Sequence, residues 1–164
     1  MTLSLLLGLV LLGSPQPARL AGYVHLYQYS AGAEYAHTVT PNTFLAPGIR
    51  LILGQMAGDS TAHFDDSCWI GVGIDSTATD TSMTGLQCTA DSQHIAMCDS
   101  FTRGTNGVSL NWWLGVDSTE ANFTWREFVL WNDSAATALD RMVHDHGLHP
   151  TNEQWLWRCE VKIE

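Results

Sequence analysis

The side chains best equipped for chemistry lie late in the chain, in His144-Asp145-His146 followed by His149. In an extended backbone, side chains two residues apart share a side. His144 and His146 can therefore point together, with His149 returning through a turn. Imidazoles joined by a carboxylate are donors for zinc and other transition metals. Nothing in this spacing closes a site, however, and Gly147 and Pro150 imply a loop. A solvated loop is the first expectation, ahead of a pH-sensitive contact between subunits and of a metal centre.

Asp65-Asp66 and the hydroxyl-rich stretch Asp75 to Asp80 offer oxygen donors for calcium, but they lack the spaced acidic residues and central glycine of an EF-hand loop. The expectation there is a solvated connection. Ser, His and Asp are plentiful, yet there is no G-x-S-x-G elbow, no H-E-x-x-H and no glycine-rich phosphate loop ending in Lys. No catalytic, cofactor-binding or metal-binding residue is assigned, and the chain is expected not to be an enzyme. Cys68, Cys88, Cys98 and Cys159 contain no CxxC pair; buried thiols are favoured over disulfides, and metal ligation ranks last. Trp113, Trp131 or Trp155 could stack on sugar rings in a binding module, although aromatics on alternating strands more often fill a core or an interface. Asn122-Phe-Thr124 and Asn132-Asp-Ser134 fit the N-glycosylation pattern, which matters only along a secretory route.

The elements that would position these groups are mostly strands. Val108, Leu110, Trp112, Leu114 and Val116 alternate with Ser109, Asn111, Trp113, Gly115 and Asp117. One face enters a core, and Trp113 breaks the polar face, which makes it a candidate for packing between subunits. Asn106-Gly107 just before this run is a hairpin signal. Phe123, Trp125, Glu127, Val129 and Trp131 form a second alternation, and Trp155, Trp157, Cys159, Val161 and Ile163 a third. Tyr23, His25, Tyr27 and Tyr29 share one side of an early strand whose neither face is cleanly polar, as expected of a strand covered by another layer or a neighbouring subunit. Trp69 to Ile74 and His94 to Met97 are shorter strand candidates. Pro47 opens a short helix that stops near Gly54 or Gly58.

At 164 residues the chain suits one main domain. Seventeen Asp and Glu against seven Lys and Arg give a net charge of -10, which repels a phosphate backbone and argues against direct nucleic-acid binding. The N-terminal MTLSLLLGLVLLGSPQPARLAG is similar to the apolar region of a signal peptide but has no Lys or Arg before it, and it is short for a membrane span. A retained apolar arm is favoured over a cleaved leader, with a membrane anchor least expected. The candidate assembly interface is therefore Leu5, Leu6, Leu7, Leu9, Val10, Leu11 and Leu12, together with Trp113.

WIGVGIDSTATDTSMTGLQ, followed at a distance by STEANFTWREFVLWND and then ALDR, resembles a family of tailed-bacteriophage virion proteins. That family shows a strand ending in IGVG, a Ser/Thr-rich loop leading to DLQ, an EANF-W-E segment and a later LNR. Here Gly85 precedes Leu86-Gln87 in place of Asp, and Leu139-Asp140-Arg141 stands where LNR is usual. The likeness runs from about Ile49 to Ile163. It implies a structural subunit located in the virion, with a homo-oligomer and other virion proteins as partners, and with a host-surface glycan as the partner in the alternative reading of a tail-fibre recognition module. The expected fold is mainly β: an antiparallel β-sandwich or jelly-roll-like domain over residues 47–164, with a short peripheral helix, preceded by an arm and connecting region over residues 1–46.

Overall fold

The computed structural model describes residues 18–58, 63–104, 107–132 and 137–164. Its strands are β1 (Leu20–Ser30), β2 (Ala33–Pro41), β3 (Thr43–Phe44), β4 (Trp69–Gly73), β5 (Gln93–Met97), β6 (Ser100–Arg103), β7 (Ser109–Val116), β8 (Thr124–Trp131), β9 (Ala138–Leu148) and β10 (Glu153–Ile163), with one α-helix, α1 (Ala46–Met56), after β3. They form two antiparallel five-stranded sheets, ordered β2-β1-β10-β7-β6 and β3-β9-β8-β4-β5. The mainly-β sandwich with a peripheral helix is thus the observed architecture.

Period-two alternation builds the core. Val24 and Leu26 of β1, Trp112, Leu114 and Val116 of β7, and Trp155, Trp157, Cys159 and Val161 of β10 meet Ile70 and Val72 of β4, Phe128 and Leu130 of β8, and Met142 of β9. Trp112, Trp125, Trp155 and Trp157 are all essentially inaccessible to solvent. Trp125 lies parallel to Trp157 at 5.2 Å and edge-on to Trp155 at 4.8 Å. Such pairs contribute about 0.5–1.5 kcal/mol beyond the area they bury.

Two sequence expectations need correction. Residues 20–44 are not an arm or connector: β1 pairs with β10 along its whole length, from Leu20 opposite Ile163 to Ser30 opposite Glu153, and β2 pairs with its other side. The division at residue 46 therefore cuts through the sandwich. Val24 and Leu26 bring enough apolar surface to make β1 an inner strand, and Arg19 and Glu164 exchange backbone hydrogen bonds at its start. In β8 the strict alternation also fails, because the register shifts between Trp125 and Glu127. This bulge lets Trp125 share the core with Phe128 and Leu130 and turns Glu127, Val129 and Trp131 to the outer side.

The glycines of WIGVG have a steric role. Ile70 and Val72 point inward, and on the opposite side Gly71 lies under the Trp131 ring while Gly73 lies under Glu127 and Cys88. A Cβ at Gly71 would stand 2.5 Å from the indole. The bare backbone is what allows the outer layer to settle on β4.

Candidate assembly interface

The two sheets differ in what covers their outer faces. Over the second sheet lies the connection from β4 to β5, including the Ser/Thr-rich stretch read above as a solvated loop. It is pinned by Arg141 of β9, whose side chain is wholly buried. Arg141 donates to Glu127 Oε2 from Nη2 at 2.8 Å and from Nε at 3.1 Å, to the Thr77 carbonyl at 2.7 Å, and to Asp75 at 3.3 Å. The Glu127 carboxylate also accepts the backbone N–H groups of Gln87 at 2.9 Å and Cys88 at 3.1 Å. Trp131, Val129 and Leu45 complete a small second core beneath Met83 and Leu86. The loop is thus docked over a buried ion pair. Asp75, read as a possible calcium donor, serves Arg141 instead.

The first sheet's outer face carries Trp113, and the described residues place no further layer over it. Cross-strand register sets Trp113 opposite Arg158, and Arg158 opposite His25. The Arg158 guanidinium lies 5.3 Å from the Trp113 ring centre and 6.0 Å from that of Tyr27. Tyr27 in turn stacks on His37 at 4.1 Å and runs nearly parallel to Trp113 at 6.0 Å. Alternation made Tyr23, His25 and Tyr27 legible as one side of β1. Sequence reasoning missed Arg158, Glu160 and His37 as companions of Trp113, because their meeting depends on strand order.

His25 is buried although it stands on an outer face. Its Nδ1 lies 2.8 Å from Arg158 Nη2, and its Nε2 lies 3.1 Å from Glu160 Oε2. Arg158 Nη2 also lies 2.9 Å from Nε2, and His37 Nε2 lies 3.3 Å from Nδ1, so the ring is enclosed by one donor-only guanidinium, one carboxylate and a second imidazole. The ring is held neutral: burial lowers its pKa, with Arg158 acting in the same direction against the opposing pull of Glu160. Arg158 Nε and Asn111 Oδ1 are buried in the same face without a hydrogen-bond partner. Such groups carry a desolvation cost that the surrounding rings do not offset.

The histidine tract does not converge into one site. His144 and His146 lie side by side with ring centres 4.7 Å apart and planes tilted by 57°, as their two-residue spacing predicts, and His146 meets the edge of Trp157. Burial pushes His146 down to about 4. His149 turns away into the core between Trp125 and Trp155, with Nδ1 2.9 Å from the Glu120 carbonyl. Among the described residues, no group of three or more His, Cys, Asp or Glu is arranged to hold a metal ion. No disulfide joins the cysteines; Cys68, Cys98 and Cys159 are buried and Cys88 is half-buried. Burial raises the thiols of Cys88 and Cys98 to about 11, which suppresses their reactivity. Trp155 is a core residue, and Trp131 lies under the loop, so neither presents a free stacking platform. Asp140 is completely buried, where it accepts from Asn42 at 2.7 Å and from the Cys159 thiol at 3.6 Å. Burial, only partly offset by these donors, raises it to about 7.

Of the expected interface, Leu5 to Leu12 lie outside the described residues, and Trp113 stands partly exposed in the aromatic and arginine patch. No helix among the described residues is long and apolar enough to cross a membrane. Comparison with family models, with curated proteins and with solved structures yields no match.

Proposed function

We propose that this chain is a noncatalytic structural subunit of a tailed-bacteriophage particle, contributing to assembly or to decoration of the capsid or tail surface. The observation that carries this reading is the outer face of the first sheet, where Trp113, Tyr27 and Arg158 cluster on a rigid support. Trp, Tyr and Arg are the residue types that most often dominate the energy of protein interfaces. The buried ion pair of Arg141 and Glu127 is committed to holding the chain's own loop. This division suits a building unit, and the WIGVG and EANFTWREF segments suggest the virion as its setting. Its partners would be further copies and other virion proteins.

A specific observation also favours glycan recognition at the same patch: Trp113 stands partly exposed beside the polar groups of Arg158 and Thr102, a pairing of ring face and hydrogen bonds that suits a sugar. Purified particles of a phage encoding this chain, imaged by electron microscopy and typed by mass spectrometry, test the leading reading. The expected result is a repeated two-sheet unit on the capsid or tail. Absence of the chain from the particles rejects it, and a glycan-array signal lost in Trp113→Ala supports the second reading.

A further inference from the structure

A second uncovered surface lies at the edge of the sandwich, away from Trp113. Helix α1 is clamped to β9 at its start, where Gly48 sits so close to Leu139 that a Cβ would stand 2.4 Å from the Leu139 Cα. Ile49, Ile52, Leu53 and Met56 follow at the i, i+3, i+4 and i+7 spacing of one helix face. That face normally packs on a core. Here Ile52 touches the core, but the face also lines an open groove of about 380 Å³ with Leu20 and Ile163. Leu53 is 59% exposed, Met56 79% and Ile163 57%. Arg19, the charged residue at the rim, is already paired with Glu164 at 2.8 Å. The groove therefore offers apolar contact with no unpaired charge to attract a polar ligand.

The chain itself contains a matching occupant. The groove is also lined by Ala18, and before Ala18 run seventeen residues without a charge, among them the cluster Leu5 to Leu12. We propose that this groove receives the Leu5 to Leu12 segment of a second copy of the chain, in a reciprocal exchange that closes a two-fold pair. The connection between segment and groove suits a second copy, and insertion into the same chain is the contrary outcome of the test below. Pro15 and Pro17 each restrict φ, and each biases the preceding residue, Ser14 or Gln16, toward extended backbone. A proline-rich spacer advances about 3.1 Å per residue. Five residues, two of them proline, separate Leu12 from Ala18, and a spacer of that length reaches up to about 15 Å, enough to meet a neighbouring copy. Reciprocal insertion covers two apolar grooves and two apolar segments with one symmetric contact. This inference concerns self-association alone and does not depend on the identity of any particle.

Cysteine crosslinking in a Cys88→Ser background tests it. Chains carrying only Leu9→Cys are co-expressed at full length with chains carrying only Met56→Cys, and intact masses are recorded before oxidation. The expected product is a bridged species at twice the chain mass, formed from the mixture. The proposal is overturned if bridging requires both substitutions in one chain and runs at single-chain mass, if no bridge forms in either arrangement, or if the purified chain has lost residues 1–12. In parallel, Leu53→Asp with Met56→Asp should shift the sedimenting species from pair to single chain while the far-UV circular dichroism is unchanged. A pair that persists with both charges in the groove also overturns the assignment.

Discussion

Arg141 on the second sheet is sealed beneath the chain's own loop and bonded to Glu127 at 2.8 Å, whereas Arg158 on the first sheet lies half-buried among Trp113, Tyr27 and His25, with Nε unpartnered. The same residue type thus does two jobs. Within the fold, Arg141 converts a polar strand face into an inner layer, because its donors are matched by Glu127, Asp75 and the Thr77 carbonyl. On the first sheet the aromatic rings shelter Arg158 without satisfying it. A closed network secures the protein's own loop, whereas the network around Arg158 leaves one buried donor unpaired.

Breaking the closed network should have the largest effect. Arg141→Ala leaves Glu127 buried without its counter-charge and is expected to cost about 3–5 kcal/mol in urea unfolding. Equal denaturation midpoints for variant and parent would show that the loop is not secured this way. The neighbouring indoles sharpen the contrast. Trp112→Ala empties the core and removes the 2.7 Å bond to the Asp65 carbonyl, for an expected loss of about 3–5 kcal/mol by the same measurement.

An intermediate effect is expected from the buried carboxyl. Asp140 titrates near 7 when folded and in the ordinary carboxylate range when unfolded, so the folded state holds the extra proton between those limits. Its contribution is therefore full below about pH 4 and declines as pH rises to about 7, by on the order of 4 kcal/mol. His146 has the opposite sign. Its folded value is about 4 against about 6.5 unfolded, so stability is lost as pH falls through that window. Asp140→Asn should abolish the loss toward neutrality and leave the acid-side loss visible in melting temperatures recorded from pH 4 to 8. A profile unchanged by the substitution would remove Asp140 from this role. The smallest effect belongs to the open face: Trp113→Ala should change folding stability by no more than about 1 kcal/mol, the scale of a partly exposed cation–π contact. A loss as large as that of Trp112→Ala would make Trp113 a folding residue and erase the distinction between the two faces.

Several features were legible in the residues alone. The alternation through Leu110 to Val116 and Trp155 to Val161 announced core strands, and Pro47 marked the start of α1. Those signals are local, because side-chain direction in a strand depends only on parity. Trp113 could be singled out as the exception on a polar face for the same reason. Its companions could not, since Arg158 and His25 lie 45 and 133 residues from Trp113 and Arg158 respectively and meet only through the order β1-β10-β7. The bulge at Trp125 defeated the parity rule, and the loop from Asp75 looked solvated because its hydroxyls and carboxylate gave no sign of Arg141.

By itself, the sequence determined a mainly-β chain, the inward rows of its strands, a short helix and a strongly acidic surface. Each follows from composition or from periodicity over a few residues. Tertiary structure alone decided that residues 20–44 belong to the sandwich, that Arg141 is buried while Arg158 is left partly open, and that the α1 stripe faces a groove beside Ala18. These are outcomes of strand order and layer packing, in which distant segments compete to cover apolar surface and to satisfy buried charge, and no local pattern records the winner.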